Sequence, residues 1–173
     1  MRKFLVSVAV TAMLAACSPP ARDTAKTPPP PTMIACNAVA PNPTRQVAVG
    51  EEVVTAAAAS GLRGGSIAPG TYDLASATRV GSPTGWSGTR AVALDVSEAP
   101  SGVVTFNWAG APSSGEADRW TANFTDTPQP HISFVCGRMG EADIDFAVEG
   151  CALQLRIPDG ANGALLLTFE KRA

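Results

Sequence analysis

The chain has 173 residues, 45% hydrophobic and 16% charged, with 16 Gly, 15 Pro and a formal charge of −2. That balance suits one globular domain of strands and turns rather than long helices. No basic run is longer than the pairs Arg2-Lys3 and Lys171-Arg172, so nothing attracts nucleic acid, and a single histidine, His131, leaves little material for zinc or a His-dependent base.

Arg2 and Lys3 form a positive head before an apolar run from Phe4 to Ala16. At about 13 residues the run is too short to span a bilayer and suits a signal-peptide core. Leu14-Ala15-Ala16-Cys17 follows, and this segment resembles the lipobox of bacterial lipoproteins. The resemblance implies cleavage before Cys17, acylation of its thiol with palmitate-type chains, and a membrane anchor of more than one acyl chain. Ser18 in the next position implies sorting to the outer membrane, facing the periplasm. Loss of Arg2 and Lys3 would leave 11 basic against 15 acidic residues, a charge of −4.

Ser18 to Thr32 holds six prolines in fifteen residues, which excludes helix and inner strand and cannot build a core. An extended tether is expected, polyproline II in part, at about 3.1 Å per residue. The domain plan is therefore a signal peptide over 1–16, a lipidated cysteine and tether over 17–35, and a folded domain over 36–173.

Glu51-Glu52 followed by Val53, Val54, Thr55, four alanines, Ser60 and Gly61 reads as a short helix with acids at its start and a glycine stop. A strand over Gln46 to Val54 is the competing reading. From Gly70 onward the apolar pattern has period two. The inward sets are Tyr72 and Leu74; Val92, Leu94 and Val96; Val104, Phe106 and Trp108; Trp120, Ala122 and Phe124; Ile132, Phe134 and Cys136; Ile144, Phe146 and Val148; Leu153, Leu155 and Ile157; and Leu165, Leu167 and Phe169. One apolar and one polar face per strand implies a sheet covering a core on one side. Short connections such as Ser97 to Gly102 permit antiparallel neighbours, and no crossover long enough for parallel pairing is evident. The expected fold is all-β, an eight-stranded antiparallel up-and-down barrel, because closure removes the open edges. The helix would plug or flank one mouth. A two-sheet sandwich is the alternative.

Gly70-Thr71-Tyr72-Asp73-Leu74 after Gly64-Gly65-Ser66-Ile67, with Arg90 to Val96, the Cys136 strand and the Leu153-to-Phe169 hairpin, resembles lipocalin-like lipoproteins of proteobacteria. The resemblance implies a periplasmic binding or structural module. Phe134-Val135-Cys136-Gly137 leading to Asp145-Phe146 and Leu155 to Gly160 also looks like the opening of membrane-bound inhibitors of C-type lysozymes, which implies a protein-binding role.

With Cys17 lipidated, Cys36, Cys136 and Cys151 remain in an oxidising compartment, enough for one disulfide and one free thiol. Cys136 and Cys151 flank a strand of about seven residues, which separates them by roughly 20 Å, beyond the ~7 Å limit between Cα atoms. Cys36–Cys136 is the favoured pair, with Cys151 free or an alternative partner. Asp143 and Asp145 read as a solvated exterior, and His131 as an outward surface residue. Trp108 and Trp120 belong to the core pattern, whereas Trp86, in the Gly81–Gly88 loop, is the candidate for an exposed contact. An eight-stranded barrel is filled by side chains or holds one small ligand; a cavity would be lined by Tyr72, Leu94, Phe106, Trp120 and Phe134. No nucleophile elbow, zincin motif or phosphate loop occurs, so neither enzymatic activity nor a cofactor or metal is expected. The expected partners are the membrane, through the lipid anchor, and a small apolar ligand or an envelope protein.

Overall fold

The computed structural model describes residues 35–52, 61–83, 85–113 and 117–173. The signal peptide, Cys17 and nearly all of the tether lie outside these residues, as does most of the helix expected over Glu51 to Gly61. The described residues form ten strands and no helix: β1 Val47–Glu52, β2 Gly70–Ser82, β3 Thr89–Glu98, β4 Val104–Pro112, β5 Asp118–Thr125, β6 His131–Cys136, β7 Glu141–Asp143, β8 Asp145–Glu149, β9 Ala152–Pro158 and β10 Asn162–Lys171.

The alternating residues from Gly70 onward form an antiparallel meander that curls round until β10 pairs with β2, from Asn162 beside Ser82 to Lys171 beside Tyr72. The result is a nearly closed barrel of ten strands, not eight, for two physical reasons. The sixth expected strand, Ile144 to Val148, belongs to a longer segment that changes partner. Its first part, β7, pairs with β6, and its second part, β8, pairs with β9. At the changeover the Ile144 N–H donates to Pro130 O at 3.0 Å, so the barrel closes through one bent segment rather than one continuous ladder.

The other added strand is β1. β2 and β3 pair directly only from Gly70–Val96 to Asp73–Ala93 and then diverge. β1 enters the gap, parallel to β2 and antiparallel to β3. Glu51 and Glu52 therefore end a strand, in line with the competing reading of Gln46 to Val54. The expectation of antiparallel neighbours throughout is corrected here: residues 53–69 are long enough for the crossover that a parallel pair requires.

The inward side chains fill the barrel. Phe106, Trp108, Trp120 and Phe169 pack with Leu74, Leu94, Ile132, Leu153, Leu155 and Leu167, all nearly or fully excluded from solvent. Phe106 stacks on Phe124 at 4.9 Å, and Phe146 meets Phe124 edge-on at 5.2 Å. Offset and edge-on contacts of this kind add stability beyond the area they bury.

Outside the barrel, residues 36–40 form a strap. Cys36 is joined to Cys136 across 100 residues, with 5.6 Å between Cα atoms. Asn37 Nδ2 donates to the Trp108 and Trp120 carbonyls at 3.1 and 3.0 Å. Arg119 donates to the Val39 carbonyl, and Arg172 to the Ala40 carbonyl at 3.4 Å. The strap thus crosses the outward side of the sheet where Ala93 and Ala109 are fully buried, and small side chains there let the two backbones approach. Asp73, only 2% exposed on this side, is held by Arg172, whose Nε and Nη2 lie 3.0 and 2.5 Å from its carboxylate oxygens.

Candidate functional site

The strand directions bring the β2–β3, β4–β5, β6–β7 and β9–β10 connections to one end of the barrel. The floor of this mouth is set by cross-strand pairing: Trp108 on β4 stands opposite Trp120 on β5, their rings stacked 5.1 Å apart at 12°. One step toward the mouth on the same faces, Gly110 stands opposite Asp118. On β3, Arg90 reaches the same end, 4.0 Å from Asp118 Oδ1.

Trp86 covers the floor. Its ring lies 5.7 Å from that of Trp108, inclined at 49°, with the Arg90 guanidinium 5.0 Å from its centroid. Trp86 was expected to be an exposed contact; it is 8% exposed, because its loop folds inward across the barrel end. Its backbone has φ of +45°, a region costly for a bulky side chain and often found where function over-determines conformation. Next to it, the Gly85 N–H donates to Asp159 Oδ2 at 2.8 Å, tying this loop to the β9–β10 turn.

Arg138, from the β6–β7 connection, lies over Trp120 at 5.8 Å and Phe134 at 5.9 Å, with Nη2 3.7 Å from Asp118 Oδ2. Beneath these side chains is a pocket of about 130 Å³, bordered by Trp86, Trp108, Trp120, Arg138, Asp159 and Leu165. A water's share of liquid volume is about 30 Å³, so the pocket has room for roughly four.

The polar atoms around the mouth are incompletely satisfied. Among the described residues, Trp108 Nε1, Trp120 Nε1, Asp118 Oδ1 and Arg90 Nε are buried and make no hydrogen bond, although Asp118 keeps its ion-pair contacts with Arg90 and Arg138. Two of them flank the bare Cα of Gly110: a Cβ there would collide with Asp118 Oδ1 and stand 3.0 Å from Trp108 Nε1.

The other residues singled out from the sequence fall elsewhere. Tyr72, Leu94, Phe106 and Trp120 are buried in the filled interior, and Phe134 is half-buried against it; of these, only Trp120 and Phe134 reach the mouth. Tyr72, near the opposite end, donates to Ala68 O at 2.6 Å. Burial, and secondarily the nearby Cys151 thiolate, raise its phenol above the ordinary value. Cys151 is a free, exposed thiol. Asp143 is exposed; Asp145, also exposed, pairs with Arg156 at 2.9 Å. His131 Nδ1 lies 3.1 Å from Gln129 O at the surface. Among the described residues, no three His, Cys, Asp or Glu side chains converge as metal ligands.

Sequence reasoning did not single out Arg90, Asp118, Arg138 or Asp159. One signal was present: Gly110 and Asp118 occupy inward positions in strands whose neighbouring inward residues are Trp108 and Trp120. A glycine and a carboxylate at such positions break the apolar period on facing strands. Compared with family models, with curated proteins and with solved structures, the chain matches none.

Proposed function

We propose that this chain is a non-enzymatic lipoprotein of the outer membrane, held on its periplasmic side by acylated Cys17, and that it binds its ligand at the tryptophan-lined mouth rather than inside the barrel. The observation that carries this reading is the mouth itself: three tryptophans and a pocket of about 130 Å³, above an interior already filled with side chains. The sequence features that resemble a lipobox and a proline tether supply the anchor and the reach. The interior offers little room for the apolar ligand that an empty barrel would take, which moves the emphasis from a carrier to a capture module.

Native mass spectrometry of the full chain, purified from its host membrane in a zwitterionic detergent, tests the reading. The expected result is a co-purifying adduct that Trp86→Ala removes; an adduct that survives this change would put the site elsewhere. The anchor is tested separately: radiolabelled palmitate should enter the chain and be absent from Cys17→Ala, and retained label there would refute the lipidation site.

A second reading, a module that docks a protein such as an envelope hydrolase, is favoured by Val135 and Met139. They are 58% and 95% exposed on either side of Gly137-Arg138, at the rim of the mouth. If a protein docks there, Met139→Asp should abolish its capture while leaving the small-molecule adduct intact.

A further inference from the structure

We infer that the rim of the mouth rests on the membrane surface that holds the lipid anchor, with Val135 and Met139 in the headgroup boundary. This rests on the proposed anchor at Cys17 and says which end of the barrel turns toward the lipid.

The path of the chain is the first argument. Cys36 is bonded to Cys136, the last residue of β6, where the wall reaches the mouth. Its carbonyl accepts from Thr121 Oγ1 at 3.4 Å, next to Trp120. Farther along the strap, the Ala40 carbonyl accepts from Arg172, whose backbone N–H donates to Thr71 O at 2.7 Å. Thr71 stands at the start of β2, the end away from the mouth. The strap therefore runs from the mouth end toward the opposite end, and traced backward from Cys36 the chain leaves the barrel wall at the mouth. Between Cys17 and Cys36 lie 18 residues, which reach at most about 65 Å. A tether of that length holds the rim near the lipid at an effective concentration of roughly millimolar order. A contact too weak to form from solution can persist there.

Exposure is the second argument. Among the described residues, the exposed large hydrophobic side chains are Val103, Val135 and Met139. Val103 lies at the opposite end, just before β4. Val135 and Met139 flank the short turn that follows the disulfide, and Met139 is 95% exposed. A thioether here can enter the acyl boundary while the neighbouring Arg138 guanidinium, its side chain 46% exposed, stays at phosphate level.

Charge alone would not bring this end to a membrane. Arg90, Arg119 and Arg138 share it with Asp118, Asp159 and, by sequence, Glu116 of the β4–β5 connection. The processed chain would carry 11 basic against 15 acidic residues. No basic patch draws it to anionic lipid, so the contact is apolar, maintained by the anchor and insensitive to salt.

The two ends of the barrel carry different natural reporters. All three tryptophans, Trp86, Trp108 and Trp120, lie at the mouth, and Cys151 is a free, exposed thiol at the other end. The full acylated chain is inserted into preformed vesicles of phosphatidylethanolamine with a minor part of phosphatidylglycerol, with and without a nitroxide on the lipid headgroup. Tryptophan emission should fall about twofold with the nitroxide, at low and at high salt, since a seated rim lies within the boundary layer. A dye on Cys151, read in a separate sample, should keep its emission. Met139→Asp should lose most of the quenching and Met139→Leu should retain it, with circular dichroism unchanged because the side chain is outside the core. Quenching of the Cys151 dye, alone or together with tryptophan, would overturn the orientation. Unquenched tryptophan in a chain that floats with the vesicles would overturn the membrane contact while leaving the anchor, and would return Val135 and Met139 to a protein partner. A chain that does not float would remove the anchor and this inference with it.

Discussion

Two residues at the end away from the mouth show how individual side chains are tuned by what covers them. Tyr72 is the single tyrosine of the chain, and its phenol is raised above 10.0, first by burial and then by the Cys151 thiolate. Because the folded value exceeds the unfolded one, the stabilising contribution is complete below pH 10 and is lost as pH rises through the folded value. A near-ultraviolet absorbance titration should therefore place Tyr72 above an unfolded control. Cys151→Ser should bring it part of the way down, since burial, the larger cause, remains; a full return to the control would reverse that order. Asp73 presents the opposite case, a buried charge with one cationic partner. Arg172→Ala should cost about 2–3 kcal/mol in denaturant unfolding, somewhat below a fully buried pair because the guanidinium is half-exposed. Arg172→Lys should recover only part of it, since an ammonium cannot reproduce the two-pronged contact. Equal stability of Arg172→Ala and the parent would mean that Asp73 finds another partner.

At the scale of elements, the β6–β7 connection shows why its glycines are not equivalent. Gly137 and Gly140 both adopt positive φ, +79° and +85°. Only at Gly137 does backbone stand in the way, since a Cβ would meet the Arg119 carbonyl and Trp120 Cα. Gly140→Ala should cost about 1–2 kcal/mol, the left-handed penalty alone. Gly137→Ala should cost about 2–4 kcal/mol, with overpacking added, and near-equal thermal shifts for the two would contradict the crowding. Crowding of this sort is not legible in a sequence; the alternation of the strands is. Tyr72 to Phe169 could be sorted into inward and outward positions because each strand covers one core and faces water on the other side. β1 could not be foreseen, since Val47 to Glu52 forms a strand only where β2 and β3 part. Trp86 was misjudged because a loop is ordinarily a surface, and its burial depends on Arg90 and Trp108 arriving from other strands. The partner change at Ile144 leaves no trace either, as the alternation from Ala142 to Val148 runs straight through it.

That partner change decides how the whole barrel should open. The ladder between β2 and β10 is long, and those between β3, β4 and β5 are nearly so. β7 meets β6 over three residues only, and the free side of β8 is held by little more than Gly64, which donates to Phe146 O at 2.7 Å and accepts from Val148 N at 3.1 Å. Local opening costs least where few backbone bonds and few buried contacts must be broken together. Native-state hydrogen exchange should accordingly show the slowest amides in β2, β3, β4 and β10. Exchange should begin at Glu141 to Asp145 through a sub-global opening that unzips the bent segment while the rest of the barrel stays shut. The disulfide bears on the same event, because Cys36 pins the strap to Cys136, one connection upstream of β7. In the reduced protein, loss of a cross-link closing 100 residues should lower global stability by about 2–5 kcal/mol. It should also spread the early exchange from β7 back into β6. If β7 exchanged only with the global core, before and after reduction, the seam would be as cooperative as a continuous ladder, and the bent segment would have to be a mechanically sound part of the wall.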